Sequence, residues 1–229
     1  MSRRPAGIRP CASVTLLVVA VSLIRPDVSI AQGSMARAFV PKYEVTGFRE
    51  ARFGMTEPQI RLMAKKAFRI DDGDMTPAAD AVAGTTKLIV HVPMLEPGLG
   101  EGRVEYVFGY RQHRLFQVNV VWGLDTNPQL SNFAIIAGAL RFQRYFLGFS
   151  WALRSVQTGI LLDDRAILLF SGVDGKNGAV TVVLDDVRYE LISGNIRLVP
   201  EPSVPTRLTI SYMDESRAAD LHRLSRSEF

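Results

Sequence analysis

The chain has 229 residues, of which 27 are basic, 23 are acidic and one is cysteine. This length is enough for a sizeable core, since a 150-residue domain already buries about 70% of its extended surface. A single cysteine excludes an intramolecular disulfide. The small positive excess gives no electrostatic case for binding nucleic acid, because most of it lies in the first 31 residues.

Residues 1–31 have the pattern of a cleavable secretory signal. Arg3, Arg4 and Arg9 precede an apolar run at residues 12–24, and the small-x-small triplet Ser-Ile-Ala at 29–31 follows. The run is too short for a stable membrane anchor, which needs about 20 apolar residues. We therefore expect export to the bacterial periplasm by the general secretory route. The mature chain would keep no cysteine, no transmembrane anchor and nearly balanced charges.

The next segment predicts a lead-in and then a helix. Residues 32–42 are polar and contain glycine and alanine, which is typical of a flexible connection. Thr56 and Gln59 have the spacing of a capping box, and Pro58 suits a first helical turn. Apolar residues follow at helical spacing, and they are Ile60, Met63, Ala64, Ala67 and Phe68. An acidic stretch at 71–74 ends this helix, and a polar loop is expected after it.

Three alternating segments then predict an antiparallel sheet with one covered face. They are residues 87–92, 103–110 and 115–122, with turns at 97–102 and 111–114. The expected inward side chains are Leu88, Val90, Val92, Val104, Tyr106, Phe108, Tyr110, Phe116, Val118, Val120 and Trp122. The preceding helix is the simplest cover for this face.

The same order of elements starts again after residue 124. Asn127 and Pro128 open a second predicted helix that ends at Gly148. Its expected apolar residues include Leu130, Phe133, Ala137 and Leu140. Strands are predicted at 149–156, 166–171, 179–184, 187–192 and 207–212, with turns at 174–178 and 185–186. The prediction is an α+β protein of tandem units, each one helix packed on an antiparallel sheet, at 43–124 and 125–229. One continuous domain is the alternative.

Three segments resemble a group of exported bacterial proteins of unknown function. They are GFREARFGMTE (47–57), YVFGY (106–110) and YFLG (145–148). The helix start followed by antiparallel strands is similar to SmpA/OmlA-type outer-membrane assembly lipoproteins, although the lipidation cysteine is missing and the chain is longer. The tandem arrangement resembles the β-lactamase inhibitor protein in architecture alone. Both of these resemblances imply protein binding rather than catalysis.

No group of residues has the pattern of a catalytic, cofactor or metal site. His113 falls in a predicted turn, His222 in the tail and His91 on an outward strand position. The acidic pairs at 71–72, 163–164 and 185–186 suit turn capping. The segment GLGEG at 98–102 leads into a strand, whereas phosphate loops lead into a helix. We therefore predict no catalytic residue, no cofactor and no metal.

The outward positions of the first three strands are the remaining candidate site. The polar members are Lys87, His91, Arg103, Glu105, Gln117 and Asn119, and Ile89, Val107 and Val121 lie among them. This mixture is typical of interfaces and also of ordinary sheets, and the other use of the face is to pack the two units together. The leading hypothesis is a non-enzymatic periplasmic protein that binds another envelope protein or maintains the envelope. The alternative is a small-molecule or lipid binder with a cleft between the two units. An enzyme such as a hydrolase ranks third.

Overall fold

The computed structural model describes residues 40–80, 83–193, 195–201 and 205–216. The predicted signal at 1–31, most of the predicted lead-in and the tail after residue 216 lie outside these residues. So do Cys11 and His222.

The described residues form an α+β architecture, as predicted. The helices are α1 (Glu57–Phe68) and α2 (Asn132–Leu147). The strands are β1 (Gly47–Phe48), β2 (Ala51–Arg52), β3 (Met75–Asp80), β4 (Thr85–Glu96), β5 (Gly100–Phe108), β6 (Leu115–Trp122), β7 (Ile160–Leu161), β8 (Ile167–Val173), β9 (Gly178–Asp185), β10 (Arg188–Ile192), β11 (Asn195–Val199) and β12 (Arg207–Asp214). A 3₁₀ turn at Asp72–Asp74 precedes β3.

Eight strands form one antiparallel sheet in the order β3-β4-β5-β6-β12-β9-β8-β7. The hairpins β1–β2 and β10–β11 form separate two-stranded sheets. Residues 43–124 supply β3 to β6, residues 125–229 supply the other four strands, and β6 pairs with β12 in the middle. Both predicted segments therefore share one sheet, and the described residues belong to one compact unit. The division into tandem units stays a prediction.

Helix α1 begins where its capping residues predict. The backbone N–H of Thr56 donates to Gln59 Oε1 at 2.9 Å, and Ile60 and Ala64 are buried. Arg69, in the left-handed region at φ 56°, follows the last turn. Ala67 is exposed, contrary to the prediction, because the helix buries a narrower stripe than the full apolar pattern.

Helix α2 begins later than predicted and buries a different face. Ser131 caps it, and its hydroxyl accepts the N–H of Ala134 at 3.2 Å. Asn127 instead belongs to a turn, where its N–H donates to Gly123 O at 2.9 Å. Phe133 is 70% exposed. The residues that the helix buries are Asn132, Ile135, Ile136, Gly138, Ala139 and Phe146. Apolar residues occur almost all round this helix, so their spacing did not select the buried face.

Five strands were not predicted, namely β1, β2, β3, β7 and β11, and one predicted strand is absent. Residues 149–156 form turns and bends, with a single bridge between Ser150 and Lys42. Strand β3 occupies the predicted polar loop, and β11 was not predicted. Alternation of apolar and polar residues did not predict β3, because it is an edge strand whose side chains are mostly exposed. Exposed positions of a strand need not be apolar.

The ends of two predicted strands are also corrected. Strand β5 stops at Phe108, so that Tyr110 lies in the following turn and is exposed. A bulge between Val107 and Phe108 places Leu115 opposite Phe108. Leu115 therefore joins the main core in place of the predicted Phe116. A bulge adds one unpaired residue, which reverses the inward and outward positions beyond it.

The core lies between the two helices and one face of the sheet. Buried members of both helices belong to one apolar cluster with the inward residues of the sheet strands. Its sheet members include Leu88, Val104, Tyr106, Val118, Val182 and Ile210. Side chains alternate between the two faces of a strand. The residues between these positions therefore occupy the opposite face of the sheet.

Gly102 is tightly enclosed by this core. A Cβ at Gly102 would lie 2.7 Å from both Leu95 Cδ2 and Trp122 Nε1, and both side chains are buried. We expect Gly102→Ala to lower the free energy of unfolding by about 1–3 kcal/mol, measured by urea denaturation. The control Gly175→Ala has nothing within 4 Å of its new Cβ. It should change stability by less than about 0.5 kcal/mol, and equal losses in the two variants would contradict the prediction.

Candidate functional site

The sheet brings the six predicted site residues onto one face. His91 lies opposite Arg103, and Glu105 lies opposite Asn119. Lys87 and Gln117 both lie opposite Val107, on its two sides. Directly opposed residues in an antiparallel pair share a face, as do alternate residues along a strand. We call this side, which also contains Ile89 and Val121, the uncovered face, because the buried residues of both described helices lie on the other side.

Four of the six residues are joined by hydrogen bonds across β5 and β6. Arg103 Nε donates to Glu105 Oε1 at 3.0 Å, and Arg103 Nη1 donates to Asp125 Oδ2 at 3.0 Å. Asn119 Nδ2 donates to Glu105 Oε2 at 3.5 Å. Gln117 Nε2 donates to Asn119 Oδ1 at 2.7 Å. The result is a continuous polar row, from Asp125 to Gln117, that holds these side chains in fixed orientations. We call it the polar row.

The polar row is partly buried. The side chains of Arg103 and Glu105 are only 21% and 15% exposed. Val107 and Val121 on the same face are buried without belonging to the main apolar cluster. Partial burial weakens the screening of this ion pair by water, so the two charges hold each other more firmly than a surface pair would.

Strands β12 and β9 extend the uncovered face beyond the predicted residues. Ser211 lies opposite both Asn119 and Thr181. Thr209 likewise lies opposite Val121 and Val183. The sequence did not predict that these residues lie on this face. Alternation predicted the strands to which they belong, but not which strands pair with them in the sheet. Asp125 was also missed, since it lies in the turn after β6.

A cleft lies on the helix side of the sheet. It has a volume of about 460 Å³ and lies between the β1–β2 hairpin and α2. Its lining includes Phe48, Arg49, Arg141, Phe142, Tyr145 and Tyr212. The sequence did not predict which residues line this cleft, because it depends on contacts between segments about 100 residues apart along the chain.

Several ionisable groups have a shifted pKa because of burial. Burial raises the pKa of Tyr43 to about 12, and the nearby Tyr145 adds to the shift. Burial also raises the pKa of Tyr212 well above its usual value. The pKa of Asp185 is raised by burial, although Arg207 opposes the shift. The two tyrosines therefore keep their hydroxyl protons to a higher pH than an exposed tyrosine does.

The histidines lie apart from one another in the described chain. His91 is on the uncovered face opposite Arg103, and His113 is in the hairpin turn at φ 50°. No group of three or more histidine, cysteine or acidic residues within 40–80, 83–193, 195–201 and 205–216 is arranged to hold a metal ion. In the same residues, neither helix has the length and apolar character needed to cross a membrane.

No protein-family model matches the chain, and neither a curated protein nor a solved structure is significantly similar to it. The resemblances to exported bacterial proteins, to SmpA/OmlA-type lipoproteins and to the β-lactamase inhibitor protein therefore stay predictions.

Proposed function

We propose that this is a non-enzymatic periplasmic protein that binds another envelope protein through the uncovered face. The observation that carries the proposal is the polar row, fixed in place on a broad sheet face that lies away from both described helices.

The uncovered face has the dimensions of a protein contact. Eight strands spaced about 4.8 Å apart make a surface about 34 Å wide. A stable protein interface buries about 800 Å² on each partner, which a surface of this width accommodates. A small molecule would contact only a fraction of a surface of this width.

The chemistry of the face is mixed, as in protein interfaces. Charges of both signs, at Lys87, Arg103 and Glu105, stand beside partly exposed apolar side chains at Ile89 and Val183. Interfaces combine apolar contact with hydrogen bonds at a density of about one per 100–200 Å². A partner with complementary polar groups and small apolar patches fits this arrangement.

The polar row supports binding because its side chains are already ordered. Association costs free energy when rotamer-rich side chains become immobilised, at about 0.5–1.5 kcal/mol each. Arg103, Glu105, Gln117 and Asn119 are held by hydrogen bonds before any partner arrives. Folding therefore already orders these side chains, so that binding a partner loses less side-chain conformational entropy.

The cellular setting follows from the predicted signal at residues 1–31. Cleavage there would release a periplasmic chain that begins near Gln32.

We also propose that the sheet is built from two units. Each helix precedes four strands of the shared sheet, and the last strands of the two sets, β6 and β12, pair with each other. The SmpA/OmlA-type and β-lactamase inhibitor resemblances agree with protein binding.

A charge-reversal variant of the uncovered face tests the proposal. Glu105→Arg/Asn119→Arg disrupts the polar row, and we expect it to lose the envelope proteins that the wild-type chain recovers in pull-downs. The matched control is Glu190→Arg/Asn195→Arg, which makes the same two substitutions at exposed positions of the β10–β11 hairpin. It should recover the same partners as the wild type. Circular dichroism and thermal unfolding are used to check that both variants are folded.

Two results would overturn the proposal. One is equal recovery of the same partners by the wild type and the Glu105→Arg/Asn119→Arg variant. The other is concentration-dependent self-association in light scattering that only this variant abolishes, which would assign the uncovered face to a second copy of the chain.

A further inference from the structure

The cleft on the helix side of the sheet has the size of a small-molecule site. Its outer part measures about 460 Å³, and an inner cavity of about 90 Å³ shares five lining residues with it. These shared residues are Phe48, Arg49, Glu96, Phe142 and Tyr212. Ligand pockets usually enclose about 300–1,000 Å³ and are mostly apolar with a few polar groups.

Aromatic and aliphatic side chains form the walls and floor of this cleft. The ring centroids of Phe48 and Tyr212 lie 5.5 Å apart. Phe142 stacks on Trp122 with centroids 5.6 Å apart, and Val120 and Ile210 from the sheet line the inner cavity. An apolar or aromatic group of a ligand would pack favourably against these side chains.

Two guanidinium groups stand at the cleft. Arg141 Nη2 lies 3.7 Å from Glu96 Oε1, and its side chain is 52% exposed. Arg49 Nη2 donates to the carbonyl of Leu95, and its guanidinium lies 5.4 Å from the Phe48 ring centroid. Among the residues that the structure describes, Arg49 forms no ion pair. Two cations therefore face one carboxylate, and the cleft carries a positive excess.

Trp122, which lines the inner cavity, carries a buried donor that is not used. Trp122 is 2% exposed, and its indole N–H has no hydrogen-bond partner in the described part of the chain. Buried polar groups are nearly always paired, so an unpaired one needs an explanation. An acceptor atom or a polar edge of a bound molecule would supply the missing partner.

We propose that this cleft binds an anionic amphiphile. Its apolar chain lies between Phe48, Phe142 and Tyr212, and its carboxylate or phosphate head is held by Arg49 and Arg141. Planar guanidinium groups match both heads by paired hydrogen bonds. The site is independent of the proposed protein-binding function, since it lies on the other side of the sheet and shares no residue with the polar row.

Calorimetric titration with four probes tests the chemistry of the ligand. Decanoate and decyl phosphate are expected to bind, and their relative affinities show which head is preferred. Decanol, which has the chain without the charge, is expected to bind at least about tenfold more weakly. Inorganic phosphate, which has the charge without the chain, should show no binding at millimolar concentration. Equal binding of decanol and decanoate, or no binding of either anionic amphiphile, would overturn the proposal.

A pair of variants tests the residues. Arg49→Met/Arg141→Met keeps apolar stems and removes both charges, and we expect the dissociation constant for decanoate to rise by about tenfold or more. The control is Arg144→Met, an exposed arginine of α2 that does not line the cleft. It should bind like the wild type. Equal affinity in the double variant and the control would contradict the assignment.

The chain contains two tryptophans, so the indole N–H resonance of Trp122 can be assigned easily. This resonance reports where the ligand binds without a charge variant. Binding of decanoate should shift the indole N–H resonance of Trp122, identified by its loss in Trp122→Phe. If the double variant fails to fold, Arg141→Met alone and this resonance carry the test. A decanoate complex in which the Trp122 signal stays unchanged would place the ligand elsewhere and overturn the proposal.

Discussion

Replacing Phe146 by alanine is expected to lower the free energy of unfolding by about 3–5 kcal/mol. Phe146 is fully buried in α2 and stacks on Phe170 with ring centroids 5.5 Å apart. Its ring also meets Tyr43 and Trp151 edge-on at 5.5 and 6.3 Å. Truncation leaves a cavity at the junction of α2, the sheet and the segment before β1. Urea denaturation followed by tryptophan fluorescence measures the loss.

The matched control lies in the same helix. Phe133→Ala makes the same chemical change at a residue that is 70% exposed, and it should alter stability by less than about 0.5 kcal/mol. A loss below about 1 kcal/mol for Phe146→Ala would show that the aromatic cluster does not stabilise the fold as its burial indicates.

Asp174→Ala is expected to cost about 3 kcal/mol of stability. The buried carboxylate accepts three backbone N–H groups, from Val45 at 2.8 Å, from Lys176 at 2.6 Å and from Gly178 at 2.8 Å. Removing it leaves the buried N–H groups of Val45 and Gly178 without their acceptor. A charged acceptor contributes more than a neutral one, and an unpaired buried donor adds its own cost.

Two further measurements separate this effect from a general loss of charge. Asp164→Ala removes an exposed carboxylate and should leave the urea midpoint nearly unchanged. In Asp174→Ala, hydrogen exchange at the amides of Val45 and Gly178 should become faster than at the centre of β9. Unchanged exchange at both amides would contradict the role given to this side chain.

Asp174 also shows how a locally predicted turn acquires a long-range role. The sequence 174–178 predicts a turn between two strands, and the structure has one there. The bond from the Val45 N–H spans 129 positions, so no local pattern indicated it. The carboxylate therefore fastens the segment before β1 to the β8–β9 hairpin as well as shaping the turn.

The candidate site was partly predictable for a similar reason. Alternation in three consecutive strands placed Lys87, Glu105 and Asn119 on one face, and the register shows them there. The partner of Arg103 outside the strands, Asp125, was not predicted. The extension through Ser211 and Thr181 was missed because strand alternation carries no information about which distant strand is the neighbour.

The sequence by itself determined the features that depend on neighbouring residues. The T-x-x-Q spacing at Thr56 determined the start of α1, because a capping box involves residues only three positions apart. Period-two alternation determined the two faces of β4, of β5 up to Val107 and of β6 from Gln117 onward, since successive side chains of a strand point to opposite sides. The export signal at residues 1–31 is a local pattern of the same kind, and it stays a prediction.

Only the tertiary structure decided the features that join distant segments. It chose the buried face of α2, where apolar residues occur nearly all round and Phe133 is left in solvent. It paired β6 with β12 and so made one sheet from both halves of the chain. It also brought Phe48 within 5.5 Å of Tyr212, forming the cleft. These outcomes depend on the free energy of packing between segments far apart in sequence, which no short-range pattern of residues contains.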